Sequence, residues 1–236
     1  MNLSQSVLDL FFPRNCVWSG APADSDKYRW LCREAEKELY FIREPYCKRC
    51  GFPFFHWNHM PKTCPLCSDW EPSFDACRSL LLYKGAAKAL VQTLKYHNGN
   101  YLQVDIRRML LQTGDLQEWF SDTILVPVPL HKTRERERGY NQSELLVRGI
   151  MKVFPKCKYE PLLQRMRSTP TQTHLNAADR RKNVRGAFGI NGIVFPELNY
   201  VLVDDVMTTG ATLDACAAVL KKAGAKKVKA FTLAHG

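Results

Sequence analysis

From about Phe74 onward the apolar residues follow two alternating rhythms. "TILVPVPL" (123–130) and "NYVLVDD" (199–205) are continuous apolar runs and read as strands buried on both faces. "DACRSLLLYKG" (75–85) and "KKVKAFTLAHG" (226–236) supply two more strands. Between them the apolar positions take helical spacing. "AAKALVQTLKYHNG" places Ala86, Leu90, Val91 and Leu94 on one face, with Gly99 as a stop. Further helices are expected at about 102–116, 143–152 and 212–223. In the last, Leu213, Cys216, Ala217 and Leu220 share a face and Gly224 sits at the C-terminal cap. The charged stretch "HKTRERERGYNQ" (131–142) reads as a loop. Strands alternating with helices imply a mostly parallel α/β sheet with right-handed crossovers. Ligands in such folds sit beyond the carboxyl ends of the strands. The loop after Leu130 and the acid pair Asp204–Asp205 both fall there.

The N-terminal third has a different pattern. Of nine cysteines, seven precede residue 78. Cys47-Lys-Arg-Cys50 and Cys64-Pro-Leu-Cys67 are two CxxC knuckles with thirteen residues between them. Four thiolates at that spacing suit one tetrahedral, closed and therefore structural Zn²⁺ site. Gly51 follows the first knuckle, where a tight turn wants positive φ. Pro53 and Pro61 in the intervening loop suit a ribbon rather than a helix. A pair of redox CxxC motifs is the competing reading, and ribbon spacing argues against it. His56 and His59 are loop residues. Cys16 and Cys32 look like knuckles that have each lost their second cysteine, so no second zinc, or at most a degraded one, is expected there. Residues 31–43 read as a short amphipathic helix packed on the ribbon. The chain divides into a cysteine-rich module at 1–72 and a larger domain at 73–236.

Charge adds a gradient. The net charge is +11, and residues 131–185 hold 14 Lys/Arg against 5 Asp/Glu. Such a stretch favours polyanions, with a solubilising surface as the plain alternative. No apolar run reaches the roughly 20 residues of a membrane span, and the start lacks a basic leader with an apolar core. A cytoplasmic location is the default.

The candidate chemistry concentrates in "VDDVMTTGAT" (203–212). Two carboxylates end a strand and should leave its two faces. Thr208, Thr209 and Thr212 open a helix whose N-terminal N–H groups favour an anion. A sugar phosphate fits both halves, with its hydroxyls on the acids and its phosphate on the loop. A strand end with an acidic cap to a structural helix is the alternative.

"VLVDDVMTTGAT" resembles the phosphoribosyl-pyrophosphate signature of type I phosphoribosyltransferases. With "VPVPLHKTRERERGYNQSELL", "TQTHLNAADRRKNVRGAF", "LKYHNG" and the cysteine ribbon, the whole chain resembles the ComF family. Ser19 and Glu36, or their neighbours, stand where that family often keeps cysteines. The resemblance implies a type I phosphoribosyltransferase-like domain binding phosphoribosyl pyrophosphate with Mg²⁺. Asp204 and Asp205 would hold the ribose hydroxyls and carry any catalysis. Val206, Met207, Thr208, Thr209, Gly210, Ala211 and Thr212 would hold the 5-phosphate, and Val128, Pro129, Leu130 and His131 the pyrophosphate. Arg165, Arg167, Arg180, Arg181 and Lys182 lie on a loop-like lid candidate. Arg134, Arg136 and Arg138, with Tyr140 and His174 as stacking rings or as ordinary packing, would track nucleic acid. The resemblance further implies a role in natural transformation, handling incoming single-stranded DNA alongside DNA-uptake, helicase or recombination proteins. An active transferase and a non-catalytic ribose-phosphate sensor remain the other readings.

Overall fold

The computed structural model describes residues 14–54, 64–68, 70–96, 98–167 and 177–236. Five parallel strands form the main sheet in the order β1-β7-β6-β2-β3. They are β1 (Ala76–Leu82), β2 (Thr123–Pro127), β3 (Lys158–Tyr159), β6 (Asn199–Met207) and β7 (Lys227–His235). β2 is buried along its whole length and β6 nearly so, because helices cover both faces. A small antiparallel pair, β4 (Leu163–Arg165) and β5 (Phe188–Ile190), stands apart.

One face packs α3 (Gly85–Tyr96), α4 (Gln103–Leu111) and α7 (Gln142–Val153) against Val201, Val203 and Phe231. The other packs α9 (Ala211–Lys222) against Tyr200, Leu202 and Ala230. Both cores continue into the cysteine-rich segment. Cys16, Leu31, Cys32 and Ala35 belong to the first, and Cys47, Cys50, Cys64 and Cys67 to the second.

Several expected elements come out differently. The helix read over 31–43 is only α1 (Arg33–Lys37), capped by Cys32; Phe41 instead bridges to Leu81 beside the sheet. The second cysteine knuckle closes on a single turn, α2 (Pro65–Ser68). The helix expected at 102–116 breaks into α4 and α5 (Leu116–Phe120). "HKTRERER" is not a loop but a helix, α6 (Lys132–Arg138). His131 caps it by accepting the Thr133 N–H at 3.4 Å, and Gly139 ends it at φ 79°. Part of the lid candidate is also helical, α8 (Ala177–Val184). Residues 1–13, 55–63 and 168–176, with His56, His59, Pro61 and His174, lie outside the described residues.

Candidate ribose-phosphate site and zinc cluster

β6 delivers Asp204 and Asp205 to the carboxyl end of the sheet, where both are buried. They leave opposite faces of the strand, yet both line one cavity of about 390 Å³, which spans the strand's end. Asp204 lies on the α9 face. Its Oδ1 accepts the Ser143 hydroxyl at 3.1 Å and the Asp205 N–H at 2.9 Å. Asp205 lies on the α3 face, 3.1 Å from the Lys95 ammonium. Burial, then the Asp205 charge, push the Asp204 carboxyl up to about 7. Burial works against the Lys95 ammonium, but Asp205 and Asp204 outweigh it and raise its pKa. Asp205 Oδ2 is buried and has no hydrogen-bond partner among the described residues.

The turn after β6 closes the cavity. Val206, Thr208 and Thr212 line it, while Met207 points into the core. Gly210 begins α9 in the left-handed region at φ 72°, and a Cβ there would meet the Trp70 ring at 2.4 Å. Thr209, Gly210 and Ala211 shape the turn without lining the cavity. Across from it, Val128, Pro129 and Leu130 form the second wall. Asn141 fixes that wall by donating to the Val128 carbonyl at 3.0 Å. His131 does not line the cavity; it caps α6.

The basic residues separate into two groups. Arg134 and Arg138, four apart on α6, line the cavity together, and Arg136 is exposed away from it. Arg165 and Arg180 also line it, and Arg180 donates to the Thr208 hydroxyl at 2.9 Å. Burial and then the neighbouring Arg134 hold the Arg165 guanidinium below its ordinary pKa. Arg167 instead ties down the end of α8 through the Asn183 and Arg185 carbonyls. Lys182 is exposed, and the Arg181 side chain lies outside the described residues. Sequence reasoning missed Lys95, Ser143 and Tyr83. The Tyr140 hydroxyl donates to the Leu94 carbonyl and accepts the Gly99 N–H, and the residue borders a second cavity of about 660 Å³.

The cysteine module holds the second candidate centre. Cys47, Cys50, Cys64 and Cys67 are buried, with their sulfurs all within 4.8 Å of one another. Tetrahedral Zn–S bonds place sulfurs about 3.8 Å apart, so the donor set fits Zn²⁺. Hydrogen bonding from the Cys50 thiol holds the Cys47 thiol down to about 4, against burial. Gly51, at φ 78°, lets the knuckle approach the sheet; a Cβ there would lie 2.7 Å from the Cys77 carbonyl oxygen.

Similarity to known proteins defines the class. A double zinc ribbon domain matches residues 7–59, and a phosphoribosyl transferase domain matches residues 173–236. This is therefore a zinc-ribbon protein with a phosphoribosyltransferase-type sheet. The chain is 30% identical over 211 residues to Competence protein F of Haemophilus influenzae, spanning 87% of this chain and 90% of that one. It is 31% identical over 207 residues to DNA utilization protein YhgH of Salmonella typhi, covering 86% and 88%. With Competence protein ComFC of Streptococcus pneumoniae it shares 27% over 205 residues, 86% of each. The chain belongs to the ComF family of competence proteins. Among solved structures, a hypoxanthine phosphoribosyltransferase of Staphylococcus aureus aligns over 63% of this chain and 64% of that one, at 11% identity and a TM-score of 0.35.

A double ribbon implies two metals, and the first position does not fit one. By CxxC spacing its four corners are Cys16, Ser19, Cys32 and Ala35. The Ser19 hydroxyl lies 3.4 Å from the Cys32 sulfur, and the Ala35 N–H donates to that sulfur at 3.4 Å. Ala35 is wholly buried in the core. Two thiols, an alcohol and a methyl group do not make a zinc site. Elemental analysis should give one zinc per chain, rising to two in Ser19→Cys/Ala35→Cys. Two in the unaltered protein would contradict this assignment.

The acid pair sets a pH dependence. Asp204 ionises near 4 when unfolded and near 7 when folded. Its contribution to stability is therefore fully present below about pH 4 and is lost as pH rises through about 7. Asp204→Asn stays neutral, so its thermal midpoint should exceed that of the unaltered protein at pH 8 and match it near pH 4. A lower midpoint at pH 8 would mean that Asp204 is stabilised as an anion.

Proposed function

We propose that this ComF-family protein binds phosphoribosyl pyrophosphate and single-stranded DNA during natural transformation. One observation carries the reading. A single cavity gathers an acid pair, a threonine turn opening a helix and four arginines. Acids alone would repel a phosphate, and arginines alone would take any anion. The combination favours a ligand with hydroxyls at one end and phosphates at the other. Asp204 and Asp205 would meet the ribose hydroxyls, and Thr208 and Thr212 the 5-phosphate. The wall at Val128 to Leu130, with Arg134 and Arg165, would face the diphosphate. Mg²⁺ on that diphosphate would supply further counter-charge. Lys95 already pairs with Asp205 Oδ1, which leaves Asp205 Oδ2 as the oxygen to meet the ion's hydration shell.

Nucleic-acid binding is supported by the α6 arginines and by the names of the relatives. Arg134 and Arg138 face the cavity while Arg136 faces solvent, so the helix offers cations on two sides. Phosphate contacts release counterions, which ties affinity to salt. Among the described residues no helix is long and apolar enough to cross a membrane.

Pentosyl transfer is a second reading. It is favoured by a larger cavity, of about 660 Å³, adjoining the first and offering room for an acceptor. Pyrophosphate release from phosphoribosyl pyrophosphate, lost in Asp204→Asn/Asp205→Asn, would make the protein an enzyme. Binding without release would make it a ribose-phosphate sensor.

For the lead reading, oligonucleotide affinity should fall linearly with the logarithm of salt concentration. Charge reversal at Arg134, Arg136 and Arg138 should weaken binding and flatten that slope by about one for each DNA phosphate no longer neutralised. Affinity that stays level from low to high salt would remove nucleic acid from the account.

A further inference from the structure

The larger cavity shares Lys95, Tyr96, Arg134 and Arg138 with the ribose-phosphate pocket, so the two are continuous. Its other lining residues include Asn98 and Asn100. Tyr96 ends α3 at this junction and is 71% exposed, although Leu90, Val91 and Leu94 on the same helix are buried. The Arg138 guanidinium lies 5.5 Å from the centre of its ring. An aromatic ring presents a π face on which a planar group can stack. Here it faces a cavity bordered by three cations and one acid, Glu137.

We infer that Tyr96 and Arg138 form a stacking platform for a nucleobase carrying a phosphate, next to the ribose-phosphate pocket. The ring and the guanidinium plane offer π-stacking and cation–π contact to any base. Asn98 and Asn100 present amides that can donate to and accept from a base edge. Asn98 is held in the left-handed region at φ 49°. Nearby, the Tyr140 hydroxyl bonds the Leu94 carbonyl and the Gly99 N–H. Arg134 and Lys95 stand where the nucleotide's phosphate would lie. A free nucleotide and one residue of a DNA strand present the same chemistry to this site.

This inference rests on reading the first pocket as a ribose-phosphate site, and its test separates the two. The fluorescence of 2-aminopurine is quenched by stacking. It is measured on the full chain in two forms, as a free 5′-monophosphate and as one residue within a single-stranded oligonucleotide. Quenching should survive Tyr96→Phe, which keeps the ring. It should be lost in Tyr96→Leu, with affinity for the quenched probe about tenfold weaker. Tyr101→Leu, at a ring packed on Trp30 outside both cavities, serves as the control. Quenching of both probes supports a mononucleotide site, and quenching of the oligonucleotide alone supports a strand site. No quenching by the unaltered protein, or equal quenching in Tyr96→Leu, overturns the platform. Phosphoribosyl pyrophosphate is titrated in parallel. If the unaltered protein does not bind it, the pocket reading fails while the quenching result still decides the platform.

Discussion

Two neighbouring carboxylates buried at the end of one strand are the constraint that organises this molecule. Burial strips Asp204 of its hydration, and the neighbouring Asp205 charge adds to the cost of ionising it. The surrounding elements compensate from three directions. α3 brings the Lys95 ammonium to Asp205, α7 brings the Ser143 hydroxyl to Asp204, and the backbone N–H of Asp205 turns back to Asp204. The compensation is incomplete, since the Asp204 carboxyl stays well above the usual carboxylate range and Asp205 Oδ2 has no hydrogen-bond partner among the described residues. A fold stores such an arrangement where a ligand completes it.

The zinc cluster matters to this site through packing. Arg49, inside the first knuckle, donates to the Cys67 and Trp70 carbonyls at 2.8 and 2.9 Å. Trp70 then covers Gly210, the residue that starts α9 after the threonine turn. A few residues on, the Ser73 N–H donates to Asp214 in the first turn of α9 at 2.7 Å. The ribbon thus braces the back of the phosphate turn, and both hydrophobic cores run through it without interruption. The first knuckle position supports the other core without a metal, through Cys32 capping α1 and Ala35 filling the interior.

Much of this was legible in the residues. Fully apolar runs located β2 and β6 because strands covered on both faces cannot alternate. The CxxC spacing located the four-thiolate cluster, and the acid pair with its threonines located the cavity. What escaped was set by tertiary context. Lys95 reads as an exposed cation at the end of an amphipathic helix, and only the fold brings it to Asp205. The arginine-rich stretch reads as a solvated loop, yet the four-residue spacing of Arg134 and Arg138 and the following Gly139 were signals of a capped helix. β4 and β5 are three residues each, too short to carry a period. Tyr140 reads in sequence as either a stacking or a packing ring, and only the fold brings its hydroxyl to the Leu94 carbonyl and the Gly99 N–H.

The central claim is that the acid pair and the threonine turn hold one ribose phosphate between them. Isothermal titration of phosphoribosyl pyrophosphate with Mg²⁺ into the full chain tests it most directly. One ligand per chain is expected, with affinity lowered at least about tenfold in Asp204→Asn/Asp205→Asn, whose neutral amides remain folded. Equal affinity in that double variant, or no heat of binding to the unaltered protein, would contradict it.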